Sequence, residues 1–365
     1  MSNIMPVHTQ KFGVLSAGGD CPGLNAALRS LCLTASGRYG MEILGIYNGY
    51  RGLIEGQIAK LNPDDYSNII TLGGTILGSS RVKPYKPEEE HFSEEQDKVS
   101  LIKENYYKFG LDCLVVLGGN GTHSTAYKLS WEGLNVLGLP KTIDNDIVGT
   151  DKSFGFDTAV NVCTDAINRL HSTAQSHGRV MVVETMGHKA GWLALYAGIA
   201  GDADVILLPE IPYDIKSIAH HIEERIKNGR NYSIVAVAEG AISVEEDQMS
   251  KKEKKKFRSE TVVSSIAHRI AHEISLETSL ETRTTVLGYI QRGGIPSPHD
   301  RILASGFGAA AAEHLARGRY GRMIALIGDE ITSVDLSVPS DKVKHVPQDH
   351  HMLNTARSLG ICLGD

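Results

Sequence analysis

The sequence predicts an α/β protein built from two doubly wound, mostly parallel sheet domains. Three observations carry that expectation. Short, nearly continuous apolar runs alternate with longer stretches of helical period, the order expected of strands sheathed on both faces by helices. Glycine-rich segments directly follow two of those runs and precede helices, which puts small residues at the carboxyl edge of a sheet, where ligands bind. At 365 residues the chain also exceeds a usual single domain, so two domains are expected.

In chain order, "FGVLS" (12–16) reads as the first strand, followed by "AGGDCPG" and a helix beginning near Leu24. "EILGIYN" (42–48), "CLVVLG" (113–118) and "NVLGL" (135–139) are the next strands; Gly118-Gly119-Asn120-Gly121 leads into a helix from about Thr122. A stretch of helical period at 156–176 separates these from "RVMVVET" (179–185), "DVILLP" (204–209) and "YSIVAVAE" (232–239), with a helix at 214–228 between the last two. "TTVLGYI" (284–290), a helix at 299–317 and "MIALIG" (323–328) complete the order. The run "KKEKKKFR" (251–258) reads as a solvated helix or loop face, and no internal repeat of 20–50 residues interrupts the pattern.

Composition narrows the function classes. Hydrophobic residues at 41% supply large cores, and a net charge of −6 argues against nucleic acid or membrane as partner, so a basic cluster must serve something local. The five cysteines are scattered, without CxxC or metal-ligand spacing, which suits free thiols in a reducing cytoplasm. "MSNIMPVHTQ" lacks an apolar core and no run of 18 apolar residues follows, so neither export nor a membrane span is expected.

The chemistry gathers in the loops. "VLSAGGDCPGLNAALR" places Gly18 and Gly19 after a strand and before a helix, where free N–H groups meet an anion; a tight structural turn is an equal reading. "VVLGGNGTHSTAYKLS" repeats the device, and "LGGTILGSSR" (72–81) ends a third glycine-rich loop in the fixed cation of Arg81. "PKTIDNDIVGTD" (140–151) sets Asp144 and Asp146 two residues apart at the same edge. Such acids form either a solvated turn or a working pair, one binding Mg²⁺ with substrate oxygens and one taking a hydroxyl proton. Beside three glycine loops, chemistry is favoured.

Together, "GGDCPGLNAALR", "GGTILGSSR", "GGNGT", "PKTIDNDIVGTD", "VMVVETMGHKAGWLAL", "AEGA" and "ETRTTVLGYIQRGGIPSPHDRILA" resemble the 6-phosphofructokinase family, in order from about Phe12 to Arg322. The resemblance implies transfer of a phosphoryl group to the 1-hydroxyl of fructose 6-phosphate, with Mg²⁺ and ATP. It implies a donor domain of residues 1–155 plus 291–340, a sugar-phosphate domain of 156–290 plus 341–365, and the active site in the cleft between them. Asp144 resembles the general base, Asp146 the Mg²⁺-linked carboxylate with Asn120 as a second metal contact, Thr142 a contact to the transferring group, and Arg81 the cation that stabilises it. The donor would meet Gly19, Tyr50, Arg81, Val82, Gly119, Asn120, Gly121, Thr122 and Lys141; packing under the loop is an equal reading for Tyr50. The sugar phosphate would meet Thr142, Ile143, Asp144, Arg179, Met186, Gly187, His188, Glu239, Arg283, Tyr289 and Arg292. Arg179 and Arg283 would act from a neighbouring subunit, which implies a homo-oligomer, dimer or tetramer, in the cytoplasm.

Several positions depart from the family pattern. Asn120 stands where many relatives carry aspartate, His188 replaces an arginine, and Tyr289 replaces a histidine. Leu33, Pro63 and His171 occupy effector-site arginine positions, so control by ADP and phosphoenolpyruvate is not expected. Two donor cues conflict. Gly121 leaves room for a nucleotide, whereas Lys141 is the residue of pyrophosphate users; Gly121 carries more weight because an aspartate there would both fill space and repel. The leading expectation is therefore an ATP-dependent glycolytic kinase. A reversible pyrophosphate-dependent enzyme and a catalytically silent regulatory subunit are the alternatives.

Overall fold

The computed structural model describes residues 8–85, 97–260 and 265–365; the N-terminal residues 1–7 of the segment read as non-targeting lie outside them. The chain forms two compact units. Unit 1 comprises Met1–Ile143, Ile147–Thr158 and Arg292–Val343, and unit 2 comprises Asp144–Asp146, Ala159–Gln291 and Lys344–Asp365.

Unit 1 supplies β1 (Lys11–Ser16), β2 (Glu42–Ile46), β3 (Ile58–Lys60), β4 (Cys113–Gly118) and β5 (Val136–Pro140). The chain then passes to unit 2 for β6 (Val180–Thr185), β7 (Val205–Leu207), β8 (Ser233–Ala238) and β9 (Thr282–Val286), and returns for β10 (Arg322–Ile327) and β11 (Glu330–Asp335). The first sheet has the order β11-β10-β5-β4-β1-β2-β3 and the second β7-β8-β6-β9. The α/β expectation holds, and the long apolar runs became the central parallel strands. In β4 and β8 every residue is buried, as strands covered on both faces require.

Three details differ from the sequence reading. β3 and β11 were not foreseen: both are antiparallel edge strands with polar residues, and their pairing comes from neighbours rather than from an apolar run. "TTVLGYI" divides, because Gly288 adopts a left-handed φ of 52° that ends β9 and begins the 3₁₀ turn Gly288–Arg292. β9 is also an edge, so its side chains are largely accessible where a two-sided covering was expected. The lysine run does form a helix, Lys251–Glu260.

In the first sheet the chain builds outward from β1 through β2 and from β4 through β5, so the topological switch lies between β1 and β4. The register pairs Ser16 with Leu117 and Gly118 with Pro140, so the loops after β1, β4 and β5 leave from one edge. The helix Leu24–Tyr39 after the first loop packs closely on the helix Pro298–Ala316; a Cβ on Gly308 would lie 2.4 Å from the Ala27 carbonyl. In the second sheet all pairings are parallel, and the carboxyl ends of β6 and β8 lie side by side. Among the described residues no helix is long and apolar enough to cross a membrane.

Candidate active site

At the switch point of unit 1, the loop after β1 turns on Gly18, whose φ of 85° favours glycine. Its N–H donates to the Ser80 carbonyl at 2.9 Å, and Ser79 Oγ donates back to the Gly18 carbonyl at 2.6 Å. These two loops enclose a cavity of about 450 Å³ lined by Gly18, Gly19, Asp20, Thr75, Ser79, Ser80 and Arg81. Val82, next in the chain, is buried. Gly19 lets the Arg292 guanidinium come close, since a Cβ would fall 2.4 Å from Arg292 Nη1. Arg292 Nη1 donates to the Asp20 carbonyl at 3.1 Å, so this arginine, assigned to the sugar phosphate by resemblance, stands in unit 1 against the glycine loop.

The second glycine loop opens the helix Asn120–Trp131, with Gly119 as N-cap. The Thr122 N–H donates to the Gly119 carbonyl at 3.0 Å. Tyr50 is 2% exposed, and its hydroxyl donates to the Thr122 carbonyl at 3.1 Å, which is the placement of a residue packed beneath the loop. His123 Nδ1 donates to the Gly119 carbonyl at 2.9 Å; burial pushes its pKa down to about 4. A Cβ on Gly121 would meet nothing within 4 Å, so the space in front of this residue is open.

Lys141, 4% exposed, sends its ammonium to the Gly19 carbonyl and so ties the β5 edge to the β1 loop. The Thr142 carbonyl accepts from Ser153 Oγ at 2.8 Å, and Ile143 is 1% exposed. From 141 to 147 burial alternates: Lys141, Ile143, Asn145 and Ile147 are buried, while Thr142, Asp144 and Asp146 are partly accessible. Asp144 to Asp146 cluster with unit 2, and Asn145 adopts a left-handed φ of 50°. The Asp146 carbonyl accepts from the Lys344 N–H at 2.8 Å, so the acidic pair sits in an anchored segment rather than in a free turn. Cys21 nearby is no nucleophile, because burial pushes its thiol up to about 12.

In unit 2 the β6 and β8 loops close on each other. The Met186 N–H donates to Gln291 Oε1 at 3.0 Å, and the Gly240 N–H to the Gly187 carbonyl at 3.2 Å. Gly187 has a φ of 126°, and a Cβ on Gly240 would lie 2.1 Å from the His188 carbonyl. His188 and Glu239 are exposed at this edge. Arg179 and Arg283 are placed elsewhere. Arg179 precedes β6 and Arg283 pairs with Met181, so both lie toward the amino end of a strand whose carboxyl end carries Met186. At about 3.3 Å per residue that is roughly 20 Å from the loop for Arg179. Both arginines converge on Glu281, with Arg179 Nε 2.9 Å from its carboxylate, and these contacts hold its pKa below the usual range. Tyr289 is 73% exposed.

Residues 11–315 match the family model described as Phosphofructokinase. The chain belongs to the phosphofructokinase family. It is 58% identical to the ATP-dependent 6-phosphofructokinase of Spirochaeta thermophila, the match covering 98% of each chain. It is 51% identical to ATP-dependent 6-phosphofructokinase 3 of Bacteroides thetaiotaomicron, over 97% of this chain and 100% of that one. The solved pyrophosphate-dependent phosphofructokinase of Nitrosospira multiformis superposes with a TM-score of 0.80, over 98% of this chain and 93% of that one; at 20% identity it speaks for the fold alone.

In this phosphofructokinase-family chain, no three His, Cys, Asp or Glu side chains gather as a metal cage among the described residues. Within unit 2, Asp146 offers a single partly accessible carboxylate, which suits an ion that arrives on substrate phosphates and keeps most of its waters rather than one held in a protein cage. Three contributors escaped the sequence reading. Gln291, fully buried, holds the Met186 N–H, and Ser79 and Ser80 line the cavity. All three lie inside stretches quoted for the family, Gln291 in "GYIQRGG" and the serines in "GGTILGSSR", whose polar residues were the available signal.

Proposed function

We propose that the chain transfers the γ-phosphoryl group of ATP to the 1-hydroxyl of fructose 6-phosphate, giving fructose 1,6-bisphosphate and ADP. The observation that carries this reading is the full-length match, at 58% identity, to a relative described as ATP-dependent 6-phosphofructokinase. The geometry supports it: a cavity lined by the glycine loop, Thr75, Ser79, Ser80 and Arg81 suits a polyphosphate, and the open space before Gly121 suits a nucleotide. Asp144 takes the proton of the attacking hydroxyl, Thr142 orients the transferring group, and Arg81 stabilises its charge. Lys141, already drawn to Gly19, adds a fixed positive charge behind the loop. Mg²⁺ bound with Asp146, when present, neutralises phosphate charge.

The amino-end placement of Arg179 and Arg283 supports a homo-oligomer. About 20 Å from the loop Met186–His188, Arg179 cannot serve the same sugar phosphate as the loop of its own chain, but it can serve a neighbour's. The five cysteines, all unpaired, suit a cytoplasmic setting.

The test is an aldolase-coupled assay with ATP, ADP and pyrophosphate as donors. ATP with Mg²⁺ is expected to give the highest kcat/KM. Asp144→Asn is expected to lower kcat by roughly 10²–10⁴-fold with sugar-phosphate affinity retained. Turnover with pyrophosphate alone would make Lys141 the better donor guide, and no turnover with any donor would favour a regulatory subunit.

A further inference from the structure

The acidic segment Asp144–Asp146 has no regular secondary structure, yet a general base must be held to within a fraction of an ångström. Asn145 within it has a left-handed φ of 50°, a turn conformation that asparagine tolerates and that breaks any extended or helical run through the segment. The C-terminal segment of unit 2 anchors the stretch at Asp146. The Lys344 N–H donates to the Asp146 carbonyl at 2.8 Å, and the Lys344 carbonyl accepts from Trp192 Nε1 at 2.8 Å. Two residues on, the Val346 N–H donates to Glu210 Oε1 at 2.9 Å. Glu210 also accepts from the Gly191 N–H, at 3.0 and 3.1 Å to its two oxygens, and its side chain is 6% exposed. Gly191 and Trp192 stand at the end of the loop that begins with Met186.

We infer that Trp192 and Glu210 are positioning residues, which act through the strap Lys344–Val346 to hold Asp144 in register with the loop Met186–Gly191. The inference rests on the proposed roles of Asp144 and that loop. The bland reading of Glu210 is a local cap, since it accepts a free N–H at the start of the helix Trp192–Ala200. A cap explains the Gly191 bonds alone. It does not explain why the same carboxylate takes Val346, nor why the indole N–H of the adjoining residue closes on Lys344. Trp192 is 5% exposed with the Lys344 ammonium 5.6 Å above its ring, so strap and indole form one packed unit. A close approach fixes the arrangement further, since a Cβ on Gly191 would lie 2.9 Å from Glu210 Oε2.

The test uses Trp192→Phe, which keeps an aromatic ring but removes the indole N–H together with the volume of the five-membered ring, and Glu210→Gln, which keeps shape and removes charge. Each is measured by steady-state kinetics in the parent and in the Asp144→Asn background. In the parent, each is expected to lower kcat about 10- to 100-fold while leaving KM for the donor within about twofold. In the Asp144→Asn background the same changes are expected to have little further effect, because a residue acting through a carboxylate has nothing left to position. Equal losses in both backgrounds would show a general structural defect and overturn the inference, as would parental kcat in both single variants. If Asp144→Asn itself retains near-normal turnover, the proposed function fails first and the strap with it. If that variant is inactive while Trp192→Phe is not, the strap alone fails.

Discussion

Gly121 and Lys141 give donor choice a residue-level test. A side chain at Gly121 would project into open space, so Gly121→Asp is expected to fold as the parent does, with an unchanged melting temperature. The added carboxylate would occupy and repel the position of a nucleotide phosphate, so ATP-dependent turnover is expected to disappear in the coupled assay. Lys141 differs because it is buried and already engaged with the Gly19 carbonyl. Lys141→Gly removes a tie between two loops as well as a charge. Turnover is expected to fall with every donor, together with the melting temperature. Arg179 and Arg283 are simpler. Each offers a charge-assisted contact of about 1.5–3 kcal/mol to a phosphate, so Arg283→Ala is expected to raise KM for fructose 6-phosphate by roughly 10- to 100-fold and leave KM for ATP near its parental value. Equal rises in both constants would remove it from the sugar-phosphate site.

At the scale of the element, the helix Asn120–Trp131 shows how a glycine loop is made rigid. Its N-cap Gly119 has no side chain to bond the first N–H groups, and the loop is held from beneath by Tyr50 and from within by His123. His123 Nδ1 carries the hydrogen, because a carbonyl can only accept, and Nε2 has no hydrogen-bond partner and lies against Gly138. The folded protein therefore holds this imidazole neutral, with a pKa of about 4 against 6.5 in the unfolded chain. As pH falls from 6.5 toward 4 the unfolded chain binds a proton that the folded one refuses. His123 then subtracts up to about 1.4 kcal/mol of stability per pH unit, and nothing above that window. His123→Asn, which keeps a donor near the Nδ1 position, is expected to start less stable but to lose less on acidification. Urea unfolding midpoints of both proteins across the window check the difference. Identical pH slopes would refute the assignment.

The whole molecule poses the question of copies. Along one chain, the loop Met186–His188 and Arg179 lie at opposite ends of β6, and Tyr289 and Ile290 of the same unit are 73% and 61% exposed. If sites are completed by a second copy, two differently disabled chains complement each other. Asp144→Asn and Arg179→Ala protomers, co-refolded, are expected to regain activity, on the order of a quarter of the parental rate for a dimer in which half the molecules are hybrids with one intact site of two. Light scattering is expected to show a particle larger than the 39.5 kDa chain. A monomer, or mixtures that stay inactive, would return both arginines to ion pairing with Glu281.

The sequence by itself determined the central strands, the helices that follow them and the family, because burial on both faces writes an apolar run and a glycine loop writes its own spacing. β4 was delimited to the residue from "CLVVLG", and Arg81, which lines the cavity between the loops, stands in a short glycine-rich motif. Tertiary structure alone decided what depends on partners distant in the chain. β3 and β11 pair as edges without an apolar signature, and Arg292 stands in unit 1 against Gly19. Arg179 sits at the amino end of a strand that only parallel pairing orients, and Asp144–Asp146 is anchored by Lys344, some 200 residues away in sequence. A hydrogen bond between such residues leaves no periodicity in either stretch. Its energy depends on a separation that exists only once the unit that holds both residues has folded.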